Sequence, residues 1–436
     1  MKKLFAIILI MAAFFSACKK EDDPPVVIDK ELTDAMARDS LYFLMRQWYF
    51  WYREMPQVVK ENYNDPYELL EAMRYKTLDK WSFVADYNEF IAEMQGEFVG
   101  HGIRIGIDDS DKARIAMIYN KSPLYENGVR RGWIVKTVNG NDIAQIIING
   151  DAAAYNSTMG PGTAGITNNF VFINPEGEEV AISSTKKSFT INSVIHYDTL
   201  HLSTGKIAGH LVFESFIQPS SGELVSAFDF FQSNGVNELI LDLRYNSGGY
   251  LFVAQELASY IAGNSLALSK KVFATLRYND KNQSQNESYP FLSTSTPLGL
   301  NRLVVITSRL TASASEAVMN GLEPYIDVAA VGDTTLGKPM GMNGWSVGEK
   351  YFYWPITFKM VNADNVGDFF DGIPPEKTAP DDITHDFSDR NEACLKEAIR
   401  YLETGSFSAK GASRFYRHPQ YSEKPDWVKN GLTIIK

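Results

Sequence analysis

Cysteine and histidine are scarce in this chain, and their scarcity excludes two kinds of site. The 436 residues include only two cysteines, Cys18 and Cys394, and six histidines. Two cysteines cannot build a disulfide framework, and they supply too few thiolates for a zinc ribbon. His196 and His201 stand five residues apart with no third ligand implied, so we predict neither a metal site nor a cofactor.

The chain also has no excess of basic charge. Its 42 Lys and Arg side chains stand against 53 Asp and Glu, which gives a formal net charge of -11 at pH 7. An acidic chain without a basic run repels phosphate backbones, so the composition argues against nucleic-acid binding. Hydrophobic residues make up 44% and charged residues 22% of the chain. These are globular proportions, and they exclude global disorder.

The apolar run over residues 4–15 is too short to cross a bilayer as a helix. Its twelve residues follow two lysines and have the length of the core of a secretory signal peptide. The next residues, Ser16-Ala17-Cys18, resemble the lipobox of bacterial lipoproteins, with Phe15 where that family usually carries an aliphatic residue. The resemblance implies cleavage before Cys18 and acyl chains on that cysteine. An ordinary signal peptide with an incidental cysteine is the alternative.

Residues 18–30 are typical of a tether, because a charged, proline-containing stretch cannot bury apolar area. The acidic part of this stretch also resembles the signals that send some lipoproteins of the Bacteroidetes to the outer cell surface. We therefore expect a signal peptide at residues 1–17 and a mature protein in the cell envelope. Its lipid anchor on Cys18 would hold it to the outer membrane, on the periplasmic or the cell-surface side.

Residues 31–95 are rich in aromatic side chains and show helical periodicity. Leu41, Leu44, Met45 and Trp48 recur at the spacing of one helix face. The pattern predicts a small N-terminal helical region whose aromatic residues pack into a core. An aromatic ligand-binding surface is the alternative.

Residues 96–190 have a different pattern, in which glycine-containing turns separate short β-rich runs. We predict strands at 102–107, 113–118, 134–138, 170–173 and 180–183. Ser122-Pro123, a short helix that ends near Gly128, and Asn139-Gly140 follow one another in an order that resembles the PDZ domains of bacterial proteases. In that family an extended peptide adds a strand to a sheet edge, and its terminal carboxylate lies on a loop of backbone N–H groups.

The segment Gly100-His101-Gly102-Ile103 is the candidate for this carboxylate-binding loop. Glycine lets the backbone approach an anion closely, although a plain glycine-rich turn is the alternative. His101 could contact a peptide group, or it could be a solvated loop histidine. The PDZ-like pattern implies protein or peptide partners with free C-termini.

Residues 191–405 alternate predicted strands and helices, which implies a layered α/β domain. One strand, at 238–243, is followed by a Gly248-Gly249 turn. Backbone N–H groups at such a turn can point at an oxyanion.

Two further segments of this block carry candidate chemistry. The strand at 302–307 leads to Ser313 at the start of a helix, where a serine can be a nucleophile. Locally the simpler explanation is a helix cap, with Glu316 three residues on as the partner in a capping box. Lys338 follows a glycine-rich turn after the next strand, and taken alone it would be a surface lysine.

As a set, these segments resemble the C-terminal processing peptidases, also called tail-specific proteases, over roughly residues 31–400. The family pattern is Leu-Arg-x-Asn-x-Gly-Gly, then Ser-Ala-Ser-Glu, then Gly-Lys, and the chain carries all three in this order. The resemblance implies a multi-domain α/β fold in which a crotonase-like catalytic domain follows the PDZ-like domain. It also implies that Ser313 is the nucleophile and that Lys338, 25 residues later, is the general base.

The implied chemistry is consistent with the residue types. Lysine can take a proton from serine only when it is neutral, which requires a pKa lowered by burial. The N–H of Ala314 and one from Gly248-Gly249 would then bind the oxyanion. Many family members carry Gln four residues after the lysine, where this chain has Met342. Asn343 is the candidate substitute, and the alternative is that the lysine is held in another way.

We therefore predict a lipid-anchored serine endopeptidase that cleaves polypeptides after recognising their C-terminal tails. An inactive relative that binds peptide tails through the PDZ-like domain is the alternative. A crotonase-like acyl-CoA enzyme is a second rival, but a secretory signal places the chain where acyl-CoA is not expected. Residues 406–436 remain as a C-terminal extension.

Overall fold

The computed structural model describes residues 32–409 and two short strands at Gln420–Ser422 and Leu432–Ile435. The predicted signal peptide, the tether and the lipidation site Cys18 lie outside the described residues. Among the helices of the described part, none combines the length and the apolar character that a membrane crossing requires.

The described helices are α1 (Asp34–Trp48), α2 (Pro66–Met73), α3 (Tyr87–Met94), α4 (Pro123–Glu126), α5 (Ile143–Ile148), α6 (Ala152–Met159), α7 (Ser220–Ser233), α8 (Leu251–Ala262), α9 (Asn264–Leu268), α10 (Ala314–Leu322) and α11 (Ala393–Thr404). The strands of the N-terminal half are β1 (Phe83–Asp86), β2 (Glu97–Gly100), β3 (Ile103–Ile107), β4 (Ala113–Ile118), β5 (Ile134–Val138), β6 (Asn141–Asp142), β7 (Thr167–Ile173), β8 (Glu179–Thr185), β9 (Lys187–Thr190), β10 (Val194–His201) and β11 (Ile207–Phe213). The later strands are β12 (Glu238–Asp242), β13 (Gly248–Tyr250), β14 (Val272–Tyr278), β15 (Glu287–Pro290), β16 (Arg302–Thr307), β17 (Asp327–Gly332), β18 (Met340–Asn343), β19 (Trp345–Val347), β20 (Tyr351–Trp354), β21 (Ile356–Val361), β22 (Lys377–Thr378), β23 (Gln420–Ser422) and β24 (Leu432–Ile435).

The N-terminal region is built around α1, as the helical spacing of its apolar residues predicts. Thr33 caps the helix by accepting an N–H of the first turn, and Ala37, Leu41 and Met45 form its buried face. The region is not purely helical, however, because β1 pairs antiparallel with β20 of the catalytic domain. It is thus docked against that domain through a shared sheet.

The β-rich region contains the strands expected at 113–118 and 134–138, with the predicted bounds. Its main sheet has the order β23-β3-β4-β5-β7-β8, and β6 pairs with β5 at the side. The short helix α4 begins at Pro123 because the side chain of Ser122 accepts the N–H of Tyr125 at 3.2 Å. Pairing of β3 with β23 brings a segment from beyond residue 405 onto the edge of this sheet.

The catalytic block is a layered α/β domain, as predicted from its alternating strands and helices. Its first sheet has the order β10-β11-β12-β16-β17-β22, and β11, β12, β16 and β17 run parallel. Strand β12 is buried throughout: Leu239 and Leu241 face the core that includes α7, α8 and α10, whereas Ile240 faces α11. Continuous apolar strands covered on both faces are typical of parallel sheets.

This sheet also explains why three distant segments of the chain meet. Strands β12, β16 and β17 are neighbours, and their carboxyl ends therefore lie at one edge of the sheet. The Gly248-Gly249 turn follows β12, Ser313 follows β16, and Lys338 follows β17. A second sheet, β13-β24-β18-β21-β14-β15, continues from the same edge.

Arg131 joins the β-rich region to the catalytic domain. Its guanidinium donates to the carboxylate of Asp381 at 2.9 Å and to the hydroxyl of Tyr245 at 2.8 Å. The same oxygen of Asp381 accepts from Arg244 at 2.9 Å. The two arginines thus bind one partly buried carboxylate, which fixes how the two regions are oriented.

Candidate active site

Ser313 lies at the N-cap of α10, directly after the loop that follows β16. The local interpretation as a helix cap is therefore correct. Its backbone differs from that of an ordinary cap, because φ is +61° where caps usually adopt the extended region. Non-glycine residues rarely adopt such a conformation, and it persists at functional sites where the surrounding structure enforces it. A serine in a strained turn before a helix is the geometry of a nucleophile elbow.

Lys338 is completely buried, and its interpretation as a surface lysine is wrong. Burial lowers the pKa of its ammonium group from the ordinary 10.5 to about 7, because the charged form loses its hydration. The carboxylates of Asp79 and Glu316 oppose this shift by stabilising the ammonium. The neutral amine that a general base requires is thus present in quantity near neutral pH.

Glu316 links the backbone of the serine to that of the lysine. Its Oε2 accepts the N–H of Ser313 at 2.7 Å and the N–H of Lys338 at 2.8 Å. Its Oε1 accepts the N–H of Gly337 at 2.7 Å and the hydroxyl of Thr335 at 2.5 Å. Burial raises the pKa of the Glu316 carboxyl, and these donors oppose that shift. One carboxylate therefore fixes two segments that are 25 residues apart in sequence.

The glycine before the lysine is required by close packing. Gly337 has φ +92°, and a Cβ atom at this position would lie 2.4 Å from the carbonyl oxygen of Phe370. Any other residue would have to push the lysine loop away from Phe370. The Gly-Lys pair of the sequence pattern is thus explained by the path of the chain into the site.

The Gly248-Gly249 turn lies beside the serine, as the neighbouring strand ends require. Gly248 N–H donates to Asn246 Oδ1 at 2.9 Å within the same loop. The N–H of the predicted oxyanion donor Gly248 thus has an acceptor within the loop. An oxyanion hole formed by this turn and Ala314, the first residue of α10, stays a prediction. A Cβ atom on Gly249 would lie 2.2 Å from the carbonyl oxygen of Phe216, so glycine is required here too.

Strand β24 lies in the cleft beside the candidate site. It runs parallel to β13 on one side, where Gly249 is opposite Thr433. On the other side it runs parallel to β18, where Met342 is opposite Ile434. An extended segment of polypeptide thus fits between the Gly-Gly turn and the strand that follows the lysine.

The segment predicted to bind a carboxylate connects β2 to β3, with Gly100 as the last residue of one strand and Ile103 as the first of the next. The alternative of a solvated histidine is wrong, because the side chain of His101 is buried. Its ring nitrogens face Ser184 Oγ at 3.0 Å and Asn168 Oδ1 at 2.7 Å. Burial lowers the pKa of His101 to about 4, so the ring is neutral at pH 7. Its contacts with Ser184 and Asn168 anchor the loop to β8 and β7.

Gly102 explains why this loop is tight. Its φ is +71°, and a Cβ atom would lie 2.5 Å from Cβ of Ser122 and 2.7 Å from the ring of Phe189. Its carbonyl oxygen accepts the N–H of Tyr119 at 3.0 Å. Whether the loop binds a carboxylate remains a prediction.

The two residues considered in place of the family glutamine have other roles. Met342 is completely buried in the core between the N-terminal region and the second sheet. The Asn343 side-chain oxygen accepts the hydroxyl of Thr357 at 2.8 Å, and its N–H donates back to that hydroxyl at 2.9 Å. Asn343 is thus engaged with the neighbouring strand β21.

Sequence reasoning missed the contribution of the N-terminal region to the lysine pocket. The ring of Trp81 lies 6.0 Å from Lys338 Nζ, and the negative charge of Asp79 acts on this amine together with that of Glu316. Asp79 is held in place by the hydroxyl of Tyr49 at 2.7 Å and by the N–H groups of Trp81 and Ser82 at 3.0 and 2.9 Å. These residues precede the dyad by more than two hundred positions, and no local pattern marks them.

A strained, helix-capping serine linked through one carboxylate to a buried lysine has the features of a serine hydrolase site. Comparison with known families agrees with this class. The model of Peptidase family S41 matches residues 207–376, and that of the Peptidase S41 N-terminal domain matches residues 38–83. The chain therefore contains domains of the peptidase S41 family.

Individual relatives give the same result. The chain is 26% identical over 278 residues to the carboxyl-terminal-processing protease of Picosynechococcus, covering 63% of this chain and 60% of that protein. It is 24% identical over 282 residues to the carboxy-terminal processing protease CtpB of Bacillus subtilis, covering 63% and 52%. The chain thus spans between half and two thirds of the length of these curated relatives.

The fold has a counterpart among solved structures. A protein of Bacteroides fragilis assigned to the S41 proteases superimposes with a TM-score of 0.69 at 25% identity, covering 83% of this chain and 96% of that one. The N-terminal family match contains Asp79 and Trp81 at its end. The region that closes the lysine pocket is therefore part of the family architecture.

Proposed function

We propose that this chain is a serine endopeptidase that cleaves polypeptides after recognising their C-terminal tails, with Ser313 as nucleophile and Lys338 as general base. One observation carries the proposal. A fully buried lysine with a pKa of about 7 is bound through its backbone to the same carboxylate oxygen as the strained serine. A lysine that is half neutral near pH 7 is matched to general-base catalysis.

The mechanism follows from these positions. Neutral Lys338 takes the proton of Ser313 Oγ as that oxygen attacks the carbonyl carbon of the scissile bond. The negative charge that develops on the carbonyl oxygen is met by the N–H groups of Gly249 and Ala314. The tetrahedral intermediate collapses to an acyl-enzyme as the Lys338 ammonium returns its proton to the leaving amine. Water, deprotonated by the same lysine, then releases the acyl group and regenerates the serine hydroxyl.

Strand β24 indicates how a substrate would bind. A polypeptide in the same place would form a strand between β13 and β18, with its backbone beside Gly249. A site that accepts an extended backbone favours unfolded or terminal segments of a substrate, because a folded protein has few strands free for pairing. On this proposal β24 competes with substrate for the cleft.

The β-rich region supports recognition of C-terminal tails, because its sheet also pairs with an extended segment at one edge. The edge of its sheet at β3 pairs antiparallel with β23, with Tyr421 opposite Ile105. This is the mode in which a peptide adds a strand to a sheet edge, and the loop from Gly100 to Ile103 lies at the start of β3. A C-terminal tail that replaces β23 would place its carboxylate near this loop.

The proposed location rests on the N-terminal residues alone. The apolar run at 4–15 and the Ser16-Ala17-Cys18 sequence support a lipid anchor in the cell envelope. There the peptidase would act on envelope proteins.

The test is incubation of the purified full chain with a panel of unfolded proteins, with cleavage followed by mass spectrometry. Ser313→Ala and Lys338→Arg should each abolish cleavage, because a guanidinium stays protonated and cannot accept the serine proton. Lys271→Arg, at an exposed position of the same domain, is the matched control and should cleave normally. Normal cleavage by Lys338→Arg would refute the mechanism. Binding of tails without cleavage by the wild-type chain would favour the inactive alternative.

A further inference from the structure

Three potential metal ligands lie together on one face of the first catalytic sheet. His196 and Asp198 are two residues apart on β10, so their side chains point to the same face. His210 on β11 is directly opposite Asp198 in the antiparallel pairing. The three side chains each offer a ligand atom, and these atoms all lie within 4.8 Å of one another. Sequence reasoning paired His196 with His201 instead, because it recognised neither β10 nor its register with β11.

The spacing of these atoms fits a metal ion. His196 Nε2 lies 3.3 Å from Asp198 Oδ2, and His210 Nδ1 lies 3.8 Å from Asp198 Oδ1. Ligands bound to Zn²⁺ at about 2.0–2.1 Å in a tetrahedron are roughly 3.3–3.4 Å apart. The cluster is therefore close to the size that one ion would impose.

The polar atoms of the cluster lack hydrogen-bond partners among the described residues. Both ring nitrogens of His210, Nε2 of His196 and Oδ1 of Asp198 are buried without such a partner. The side chain of His210 is completely buried. Buried polar atoms in native proteins are nearly always hydrogen-bonded or bound to an ion or water, so this arrangement itself points to a ligand.

We propose that His196, Asp198 and His210 bind a divalent transition-metal ion, with Zn²⁺ as the ion best matched to the site. Two imidazoles and one carboxylate are a ligand set typical of such ions. The side chains of His196 and Asp198 are 29% and 30% exposed, so the fourth position opens to solvent and takes water. Since these residues are distinct from the proposed dyad, the inference is independent of the proposed peptidase activity.

The surroundings of the site support a bound cation. On the other side of the ring, His210 Nε2 lies 4.0 Å from Asp242 Oδ2, so a carboxylate stands behind the proposed ligand. Glu392 and Asp198 add negative charge around His210, and Arg244 is the cation that faces it.

The bound ion would link β10 and β11 to the carboxyl end of β12. Asp242 is the last residue of β12 and is bound by Arg244, whose guanidinium also reaches Glu392 at 2.8 Å. We therefore expect the metal to stabilise the edge of the catalytic sheet without taking part in peptide cleavage.

The experiment uses the full chain after treatment with a chelator and dialysis. Zn²⁺ is titrated by calorimetry, and Co²⁺ is added in parallel as a spectroscopic probe whose visible absorption reports imidazole and carboxylate ligands. We expect one equivalent of Zn²⁺ to bind and to raise the melting temperature, because an ion that binds only the folded state stabilises it. The Co²⁺ complex should show the intense visible bands of a four-coordinate site.

Two variants at partly exposed positions test the ligands without creating a cavity in the core. His196→Gln and Asp198→Asn should each weaken Zn²⁺ binding by at least about tenfold and remove the Co²⁺ bands. The matched control is His201→Gln, an exposed histidine on the same strand, which should bind like the wild type. Melting curves in chelator check that the variants fold. The proposal fails if the wild type binds no single equivalent of Zn²⁺, or if both variants bind as tightly as His201→Gln.

Discussion

The pH dependence of cleavage is the sharpest consequence of the buried lysine. The pKa of Lys338 falls from 10.5 to about 7, because burial removes the hydration of its ammonium group. At pH 7 about half of such a lysine is neutral, whereas an exposed lysine is neutral to only about 0.03%. Burial therefore raises the fraction of usable base by roughly three orders of magnitude at pH 7.

The expected profile has one ascending limb. Below pH 7 the neutral fraction of Lys338 falls tenfold per pH unit, so kcat/KM at pH 5 should be about 1% of its plateau above pH 8. The assay is the initial rate of cleavage of a quenched fluorescent unfolded protein between pH 5 and 9, at constant ionic strength. A flat profile, or a rate that still rises tenfold per pH unit at pH 9, would refute the assignment of this lysine as base.

A histidine of ordinary pKa titrates in the same range, so the limb must be traced to the lysine. The carboxylate of Asp79 raises the pKa of Lys338. Asp79→Asn should therefore move the limb to lower pH, and the exposed control Asp229→Asn should leave it in place. An unchanged limb in Asp79→Asn would show that another group controls the rate.

The same shift has a consequence for stability. Between pH 7 and 10.5 the unfolded chain holds the lysine proton and the folded chain does not, so this group makes the folded state more stable as pH rises through that window. Below pH 7 the buried charge costs the fold about 5 kcal/mol, from a shift of about 3.5 pKa units at 1.36 kcal/mol each. Lys338→Met should accordingly be more stable than the wild type at pH 6, and the difference, measured by urea denaturation, should shrink towards pH 10.

Four further outcomes are expected. Glu316→Gln should lower kcat roughly 10²-fold with little change in KM, because an amide cannot accept all the N–H groups that position the dyad; unchanged kcat would contradict this role. Thr433→Pro should raise turnover relative to Thr433→Ala, since proline removes a backbone donor from β24 and frees the cleft, and equal rates would mean that β24 does not compete with substrate. A peptide with a free apolar C-terminus should bind better than its amidated form, and equal affinities by fluorescence anisotropy would rule out the loop at 100–103 as the carboxylate site. Cys18→Ala should move the protein from the membrane fraction to the soluble fraction on immunoblots; unchanged fractionation would exclude the lipid anchor.

The parts of the site that could be predicted are those that follow parallel strands. Each of the three chemical segments comes directly after an apolar strand, and the carboxyl ends of adjacent parallel strands meet at one edge. Ser313, Lys338 and the Gly248-Gly249 turn are therefore brought together by a topology that the alternation of strands and helices already indicates. The hydrogen bond from Gly248 N–H to Asn246 Oδ1 was beyond the sequence, because it depends on how the loop places the Asn246 side chain.

The parts that could not be predicted depend on tertiary docking and on register. Trp81 and Asp79 reach the lysine only because the N-terminal region packs on the catalytic domain through β1 and β20. The cluster around His210 depends on the pairing of β10 with β11, and β10 carries a mixed pattern of polar and apolar residues in which no clean alternation marks a strand. A shift of that register by one residue would turn His210 away from Asp198.

The pKa of Lys338 depends on residues of the N-terminal region as well as on the catalytic domain. Its low pKa is the balance between burial, which lowers it, and the charges of Asp79 and Glu316, which raise it. Glu316 belongs to the catalytic domain, but Asp79 and the ring of Trp81 come from the N-terminal region. If that region left its position, water would reach the amine and the pKa would return towards 10.5, because burial affects this pKa more strongly than the charge of Asp79 does. On the proposed mechanism the neutral base therefore depends on the packing of both domains. A catalytic domain that lacks the N-terminal region would contain the same serine and lysine without the neutral amine that this mechanism needs.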